Sequence, residues 1–513
     1  MMHILRFPLL VAVLLGSLLT STTYAQKIAW GTLGAAESKN YYPQIVGEDD
    51  NKIFTYHFLK GACYLESYAK GKMQRLSSKK IEPSRINGNR PSIERVNFVG
   101  NKYIVFTSYY DQETRESKIL AQTVDAHTQQ MSESIVLFDV PVESKRRSGE
   151  YYVFLSKDRN KILVNHYAYY KKQRQYKDKF KLVDANLNVL LDREDVYDKG
   201  ERDFRISNYL IDNDGSLYFL KSYSAGQKYI VSYDANREYE KWEEQLDVSK
   251  LGLERNSRIT DLTFSVNRHN DLIVSGYYSE EKNNLDGCFF LKIDNESKET
   301  ETTRLNKFDD SFREQFTKKH WLFDDKQELF NDFKSITIIN KEDGGILLAG
   351  EKYQRLIVSS NYGTITYETF GDLIVLNIAP SGDLLWANRI PKLQKFDDRY
   401  FNLLTKDART TDYYSYLIGL DEQKAVVLFN DHRRNALATE QGSLKALKNI
   451  NKSFISSYTI DLQTGEKHKG LISNAQDSEV LFKPSTSYQK DQHSDIIIFG
   501  RKHKRFKYGT LVL

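Results

Sequence analysis

A pattern of paired apolar runs recurs eight times along the chain. Each copy has an apolar run, a short turn rich in Asp, Asn and Gly, and a second apolar run that ends in aromatic or polar residues. YLIDNDGSLYFLKSY, from Tyr209, shows the pattern clearly. Such runs around such a turn are typical of β-hairpins. The repeat therefore predicts an all-β chain built from one unit. The copies begin at Gln44, Val96, Tyr152, Tyr209, Leu262, Ile336, Tyr416 and Phe482.

A third and a fourth strand follow most of these hairpins. FKLVDANLN from Phe180 precedes NVLLDRE, and DLIVLNIAPSG from Asp372 precedes DLLWANRIP. Four antiparallel strands, repeated about every 50 to 80 residues, resemble the blades of a β-propeller over essentially the whole chain. The sequence carries no signature of a particular propeller family, and the fold alone implies no activity.

The two ends of the repeat indicate how the ring closes. The eighth unit stops after a third strand, FKYGTLVL, while QKIAWGTLG from Gln26 precedes the first unit and has the character of a fourth strand. We expect the N-terminal strand to complete the last blade, because closure removes the exposed strand edges. The prediction is a single propeller of about eight four-stranded blades. Seven blades are the alternative, since the first unit is weakly patterned, and two smaller domains or an open stack of sheets are further alternatives.

The first 25 residues have the pattern of a cleavable signal peptide. Arg6 precedes the apolar run FPLLVAVLLGSLLT, and small residues lead to a cleavage position after Ala25. We therefore expect residues 26–513 to form an exported bacterial protein, either periplasmic or associated with the outer membrane. The residue directly after the cleavage position is Gln26 and not the cysteine of a lipoprotein, and no later apolar run could span a membrane. We therefore expect a soluble protein that is not a lipoprotein. Export and a net charge of only +5 argue against nucleic acid as a partner.

The two cysteines fall in distant units of the repeat. Cys63 lies in the third strand of the first unit and Cys288 in the third strand of the fifth. In an eight-bladed ring these units are on opposite sides, far beyond the Cα separation of roughly 7 Å that a disulfide permits. The register predicts two free, buried thiols and no disulfide.

Long connections are expected to gather on one side of the ring. In a propeller, the connections from second to third strands and the links between blades lie on one face, which we call the loop face. The turns from first to second strands and from third to fourth strands lie on the opposite face, which we call the turn face. Long insertions at 307–331, 351–371, 392–411 and 431–452 all fall in loop-face connections. Long connections in a compact fold are frequently functional.

Basic and aromatic side chains occur in the same connections. We predict that the basic ones attract an anionic partner, such as an acidic glycan, a lipid head group or an acidic protein surface. The other interpretation is that these are ordinary solvated loop charges. The basic candidates are Arg146, Arg147, Lys171, Lys172, Arg174, Arg433, Arg434, Lys502, Lys504 and Arg505, and the aromatic candidates are Tyr169, Tyr170 and Trp321.

The sequence contains no motif for a cofactor, a phosphate loop, a serine nucleophile or a zinc site. We therefore expect no cofactor and no metal, and we name no catalytic residue. The leading hypothesis is a non-enzymatic binding or scaffold protein of the cell envelope that docks a protein or glycan, as in an outer-membrane assembly or secretion complex. The alternative is a glycan-active hydrolase or lyase with loop-donated carboxylates at the central pocket. Its candidate acids are the pairs Asp309–Asp310, Asp324–Asp325 and Asp397–Asp398.

Overall fold

The fold is known from a computed structural model. All structural statements below refer to the residues that the structure describes. These residues are 28–38, 41–83, 85–86, 88–198, 204–224, 226–247, 249–254, 257–280, 285–316, 333–360, 363–397, 411–438, 444–474, 479–491 and 494–513.

The described strands form eight antiparallel sheets, and in seven of them the main path of strands follows the chain order from the inner to the outer edge. Blades 1 to 4 each have four consecutive strands. Blade 1 contains β3 (Gln44–Glu48), β4 (Lys52–Leu59), β5 (Ala62–Ala69) and β6 (Arg75–Ile81). Blade 2 contains β7 (Ser92–Val99), β8 (Lys102–Asp111), β9 (Glu116–Asp125) and β10 (Ile135–Pro141). Blade 3 contains β11 (Glu150–Leu155), β12 (Lys161–Tyr170), β13 (Gln175–Asp184) and β14 (Val189–Asp198). Blade 4 contains β15 (Phe204–Ile211), β16 (Leu217–Tyr223), β17 (Lys228–Asp234) and β18 (Glu240–Gln245).

Blades 5 to 8 repeat the arrangement, with additions in two of them. Blade 5 contains β19 (Arg258–Val266), β20 (Leu272–Ser279), β21 (Gly287–Ile293) and β22 (Thr300–Lys307). Blade 6 contains β23 (Phe333–Asn340), β24 (Ile346–Ser360), β25 (Gly363–Ile378) and β26 (Leu384–Ile390), and β27 (Gln394–Asp397) also pairs with β25. Blade 7 contains β28 (Leu417–Leu420), β29 (Lys424–His432), β30 (Ser453–Asp461) and β31 (Lys467–Asn474). Blade 8 contains β32 (Leu481–Tyr488), β33 (Ile496–Lys502) and β34 (Arg505–Leu511).

The fourth strand of blade 8 comes from the beginning of the described chain. β1 (Ile28–Trp30) pairs antiparallel with β34, placing Ile28 opposite Leu511, and β2 (Gly34–Ala35) continues along the same strand. The protein is therefore a closed β-propeller of eight blades. This confirms the predicted fold, the count of eight and the N-terminal closing strand, and it excludes the seven-bladed alternative.

Burial explains why the four strands of a blade differ in sequence. β20 is buried along its whole length because it has a neighbouring strand on each side and a neighbouring blade against each face. The outermost strand β14 instead alternates between exposed and partly buried residues, as expected for a strand with one solvated face. Central strands consequently read as continuous apolar runs, and these runs produce the repeat seen in the sequence.

The core is divided among the spaces between neighbouring blades. One cluster joins blades 4 and 5 through Ile230 and Phe289, for example, and another joins blades 8 and 1 through Ile53 and Phe499. Cys63 and Cys288 are free thiols, buried in the third strands of blades 1 and 5. Among the described residues, no helix is both long and apolar enough to cross a membrane. The predicted signal peptide at 1–25 lies outside the described residues.

Candidate functional site

The described parts of the four predicted insertions lie at the loop-face ends of their blades. In the first insertion, 307–331, only residues 307–316 are described, and they include a short helix at Asp310–Glu314. Residues 351–371 differ from the long loop expected: their described part extends β24 and β25 into a hairpin. In the third, Gln394–Asp397 forms β27 and 398–410 lies outside the described residues. The fourth contains two single 3-10 turns, Arg433–Asn435 and Ile450–Lys452.

Two of the predicted basic segments lie side by side between blades 2 and 3. Arg146 and Arg147 lie in a 3-10 turn after β10, and Lys172 lies in the turn between β12 and β13. The carboxylate of Glu143 accepts the backbone N–H of Lys172 at 2.8 Å and the guanidinium of Arg147 at 2.7 Å. These bonds lower the pKa of Glu143. Glu143 thus ties the two segments together, while Lys171 and Arg174 stay exposed beside them.

The other predicted basic residues lie in blades 7 and 8. Arg433 and Arg434 belong to the 3-10 turn after β29, where Arg433 donates to the carbonyl of Asn451 at 3.3 Å. The turn between β33 and β34 carries Lys502, Lys504 and Arg505. These residues share the loop face with the blade 3 segments, but blades 3 and 7 are four positions apart in the ring. The basic residues therefore form separate groups around the face.

The predicted aromatic residues have different surroundings. The Tyr169 ring lies 4.7 Å from that of Tyr176, its partner across β12 and β13. Tyr170 is buried and points the other way: its hydroxyl donates to the carbonyl of Pro141 at 2.7 Å, and Lys177 Nζ lies 5.0 Å from its ring centre. Tyr170 therefore holds the blade 2–3 connection and is not open to a ligand. Trp321 lies outside the described residues.

An aromatic cleft of about 680 Å³ opens between blades 3 and 4. The rings of Tyr167 and Tyr176 are stacked at 5.5 Å on blade 3, and Phe154 stacks on Tyr209 of blade 4 at 4.9 Å. The exposed side chain of Arg205 lines the cleft and has no ion-pair partner among the described residues. Tyr167, Tyr176 and Arg205 lie in the loop-face halves of their strands, so the cleft opens on the loop face. Phe154 and Tyr209 lie nearer the turn-face ends of β11 and β15.

A second depression of about 560 Å³, the polar cleft, lies between blades 2 and 3 on the same face. Its lining includes Arg90, Glu94 and Lys145 with the neighbouring ring of Tyr151. Tyr152 lines both depressions, so the polar and aromatic clefts meet at this ring. We call the combined depression the groove. Its chemistry is that of a binding surface for a long ligand with rings and charged groups, since it offers aromatic faces flanked by cations.

A buried carboxyl lies behind the aromatic cleft. Asp178 is fully buried and accepts hydrogen bonds from the Asn165 amide and, at 3.0 Å, from the Tyr209 hydroxyl. Burial and the facing carboxylate of Asp195 raise the pKa of Asp178 to about 7. Its bonds to two cleft-lining residues fix their positions.

Sequence reasoning missed Tyr152, Tyr167, Tyr209 and Arg205. For Tyr152, Tyr167 and Arg205 the signal is positional: they lie toward the start of a first strand or the end of a second strand, and those ends share the loop face. Tyr209 lies in the far half of β15, and no such signal marks it. The predicted carboxylate pairs form no site in the described residues. Asp309 caps the short helix by accepting from Phe312 N at 2.7 Å, and Asp310 is exposed. Asp397 ends β27, while its neighbour Asp398 and the pair Asp324–Asp325 lie outside the described residues.

No family model and no curated protein matches this sequence. Solved structures do match. The WD40 domain of SCAP from fission yeast is 7% identical with a TM-score of 0.42, covering 95% of this chain and 96% of that one. The polysaccharide lyase Uly1 is 11% identical with a TM-score of 0.39, covering 94% and 99%. The β-propeller domain of the Trilobed protease from Pyrococcus furiosus is 10% identical with a TM-score of 0.33, covering 82% and 93%. At these values the likeness concerns the fold, and the function must be argued from this chain's own residues.

Proposed function

We propose that this protein is an exported, non-enzymatic binding protein that docks an anionic glycan in the groove over blades 2 to 4. The observation that carries the proposal is the aromatic cleft, with stacked tyrosines and, at one opening, the guanidinium of Arg205, which forms no ion pair with a described residue. The predicted signal peptide supports a place outside the cytoplasm of a bacterium, in the periplasm or at the outer membrane.

The groove suits a sugar chain because it combines flat aromatic faces with cations. Tyrosine rings present an apolar face to the C–H side of a sugar and a hydroxyl to its polar edge. A guanidinium pairs with a carboxylate or sulfate through two parallel hydrogen bonds, which favours an acidic sugar over a neutral one. The tied segments at Arg147 and Lys172 add positive charge near the polar cleft, at the other end of the groove from Arg205.

Binding is favoured over hydrolysis because Asp178, the carboxyl behind the aromatic cleft, is buried away from the ligand side. A glycosidase needs two carboxyl groups that reach the scissile bond. Asp178 is fully buried and Asp195 nearly so, and the latter is occupied by Tyr233 at 2.6 Å and Lys241 at 3.1 Å. These carboxyls shape the wall of the cleft and do not face a ligand.

The test is affinity electrophoresis of the purified protein in gels that contain alginate, polygalacturonate or hyaluronate, with neutral dextran as the reference polymer. We expect retardation by at least one acidic polymer and none by dextran. Tyr176→Ala should weaken binding about tenfold, and Arg205→Gln should remove the preference for acidic over neutral polymer. Phe58→Ala and Arg434→Gln are matched controls, since both residues lie on the loop face outside the groove.

Three outcomes would contradict the proposal. One is the absence of retardation by every acidic polymer. Another is equal binding by the groove variants and their controls. The third is release of shortened products from a polymer by the wild-type protein, which would establish the enzymatic alternative instead.

A further inference from the structure

A third cavity lies at the axis of the propeller on the turn face, opposite the groove. The turns between first and second strands surround a space of about 710 Å³, which we call the axial pocket. Blades 1 to 6 and blade 8 all contribute to its lining. The volume is in the upper part of the range of about 300 to 1,000 Å³ that small-molecule sites occupy. The pocket shares no lining residue with either cleft of the groove.

Arg159 reaches across the axial pocket from blade 3. Its guanidinium lies 4.4 Å from the ring centre of Tyr488 in blade 8 and donates a hydrogen bond to the carbonyl of Val46 in blade 1. Its backbone has a φ of 58°, a left-handed conformation that a side chain other than glycine adopts at some energetic cost. These contacts hold one fixed guanidinium inside the cavity.

Arg159 forms no ion pair with a described residue. No carboxylate lies within ion-pair distance of it there, and its remaining N–H groups have no acceptor among the described residues. Burial lowers the pKa of the guanidinium, and the more distant Glu48 and the Tyr488 hydroxyl offset only part of that effect. A half-buried guanidinium with free donors is suited to a carboxylate, which it can bind through two parallel bonds.

Asp212 supplies the opposite charge from the first turn of blade 4. Its side chain is half-buried in the same lining and has no cation within ion-pair distance in the part of the chain that the structure describes. Burial raises the pKa of this carboxyl. Among the described residues, the pocket therefore holds a cation and a carboxylate that form no ion pair, while Glu48 and Lys157 in the same lining act on them only from a longer distance.

We propose that the axial pocket binds a short peptide in its zwitterionic form. The C-terminal carboxylate of the peptide pairs with Arg159, and its N-terminal ammonium pairs with Asp212. A ligand with both charges satisfies both groups at once, whereas an ion of one sign leaves the other group unpaired. The amide of Asn101, in the wall of the same pocket, offers a donor and an acceptor to the peptide bonds.

The test is isothermal titration calorimetry with trialanine and triglycine as probes. Each is compared with its N-acetylated and C-amidated forms, so that one charge is removed at a time without changing the protein. We expect the free tripeptide to bind at least tenfold more tightly than either blocked form. Arg159→Gln should abolish the difference between acid and amide, and Asp212→Asn should abolish the difference between amine and acetamide.

Matched controls and a second variant keep the result interpretable. Arg237→Gln and Glu238→Gln change exposed charges in another turn of the same face, outside the pocket, and should leave binding unchanged. Arg159→Lys retains a cation and should retain part of the affinity if Arg159→Gln impairs folding. Arg159→Gln should also bind acidic polysaccharide like the wild type, which separates this proposal from the glycan groove.

The proposal is overturned if neither tripeptide binds the wild-type protein at millimolar concentration. It is equally overturned if blocked and free peptides bind alike, or if the pocket variants keep the full preference for the free peptide.

Discussion

The hydroxyl of Tyr41 donates a hydrogen bond to the carboxylate of Glu66 across 2.9 Å, in the space between the first and last blades. Tyr68 donates to the same carboxylate at 2.9 Å, and Arg75 donates at 3.0 Å. The Tyr41 hydroxyl also lies 3.4 Å from that of Tyr508 in blade 8. A single buried carboxylate therefore organises the polar contacts where the ring closes.

Glu66→Gln should destabilise the protein by about 3 kcal/mol at neutral pH, because it removes one charge from a buried hydrogen-bonded network. Burial by itself would raise the pKa of Glu66, but His57 and the hydrogen bonds from Tyr68 and Tyr41 lower it overall. This contribution is present above the unfolded pKa and is lost as pH falls through the folded pKa. Wild type should therefore begin to lose its advantage over the variant as pH falls below about 4.5, the pKa of the unfolded chain. Urea midpoints of wild type and variant at pH 7 and pH 3.5 measure both effects, with Glu82→Gln at an exposed position as the control. Equal midpoints of wild type and Glu66→Gln at pH 7 would contradict a stabilising role of Glu66.

Asp178→Asn should stabilise the protein at pH 8 and change its stability little near pH 3.5, where the carboxyl is largely protonated in both the folded and the unfolded chain. The native state keeps the Asp178 proton up to about pH 7, while the unfolded chain loses it near 3.8. Wild-type stability should then fall as pH rises between those values, by an amount on the order of 2–4 kcal/mol. Guanidinium midpoints across this range measure the slope. Asp192→Asn is the control, because Asp192 is exposed and pairs with Lys181, and it should leave the dependence of stability on pH unchanged. If Asp178→Asn keeps the same dependence on pH, another group causes it.

Gly509→Ala should weaken the closing strand. An added Cβ would lie 2.8 Å from the indole Cε3 of Trp30 and 3.1 Å from the carbonyl oxygen of Ala29. Overpacking of this kind costs about 1–3 kcal/mol. Thermal denaturation measures the loss, and combining the change with Trp30→Ala should cost less than the sum of the two single variants. Simple additivity would show that the indole is not what limits the space.

The thiols of Cys63 and Cys288 should not react with Ellman's reagent in the native protein at pH 8. Both are buried, and burial raises the pKa of each to about 12, so almost no thiolate is present. Unfolding in concentrated guanidinium should release two reactive thiols. Fast reaction of either thiol before unfolding would contradict the burial seen here.

The sequence predicts the blades well because their pattern is local. A central strand such as β20 is buried on both faces, and a continuous run of apolar residues in the sequence predicts such a strand. Ring closure follows from counting strands, since β34 has β33 on one side and lacks an outer neighbour until β1 is added. The loop-face position of Lys172 and Arg434 follows from strand order alone.

The groove and the axial pocket depend on contacts between blades, which no local pattern contains. The aromatic cleft needs Phe154 of one blade to meet Tyr209 of the next, and Glu143 joins two segments through the backbone of Lys172. In the sequence, Arg159 has only the pattern of a turn residue. Its contacts with Val46 and Tyr488 arise because the ring places blades 1 and 8 beside it. The extension of β24 and β25 was misread as a loop because its polar residues interrupt the apolar run.

The pairing of β1 with β34 also constrains biosynthesis. β1 is the first described strand to leave the ribosome, and its hydrogen-bonding partner is the last described one. Until that partner arrives, the nascent chain has two bare strand edges that could recruit other chains. The closed ring can therefore form only after β34 has been synthesised, and a chaperone that shields these edges would act on the unclosed chain but not on the native ring.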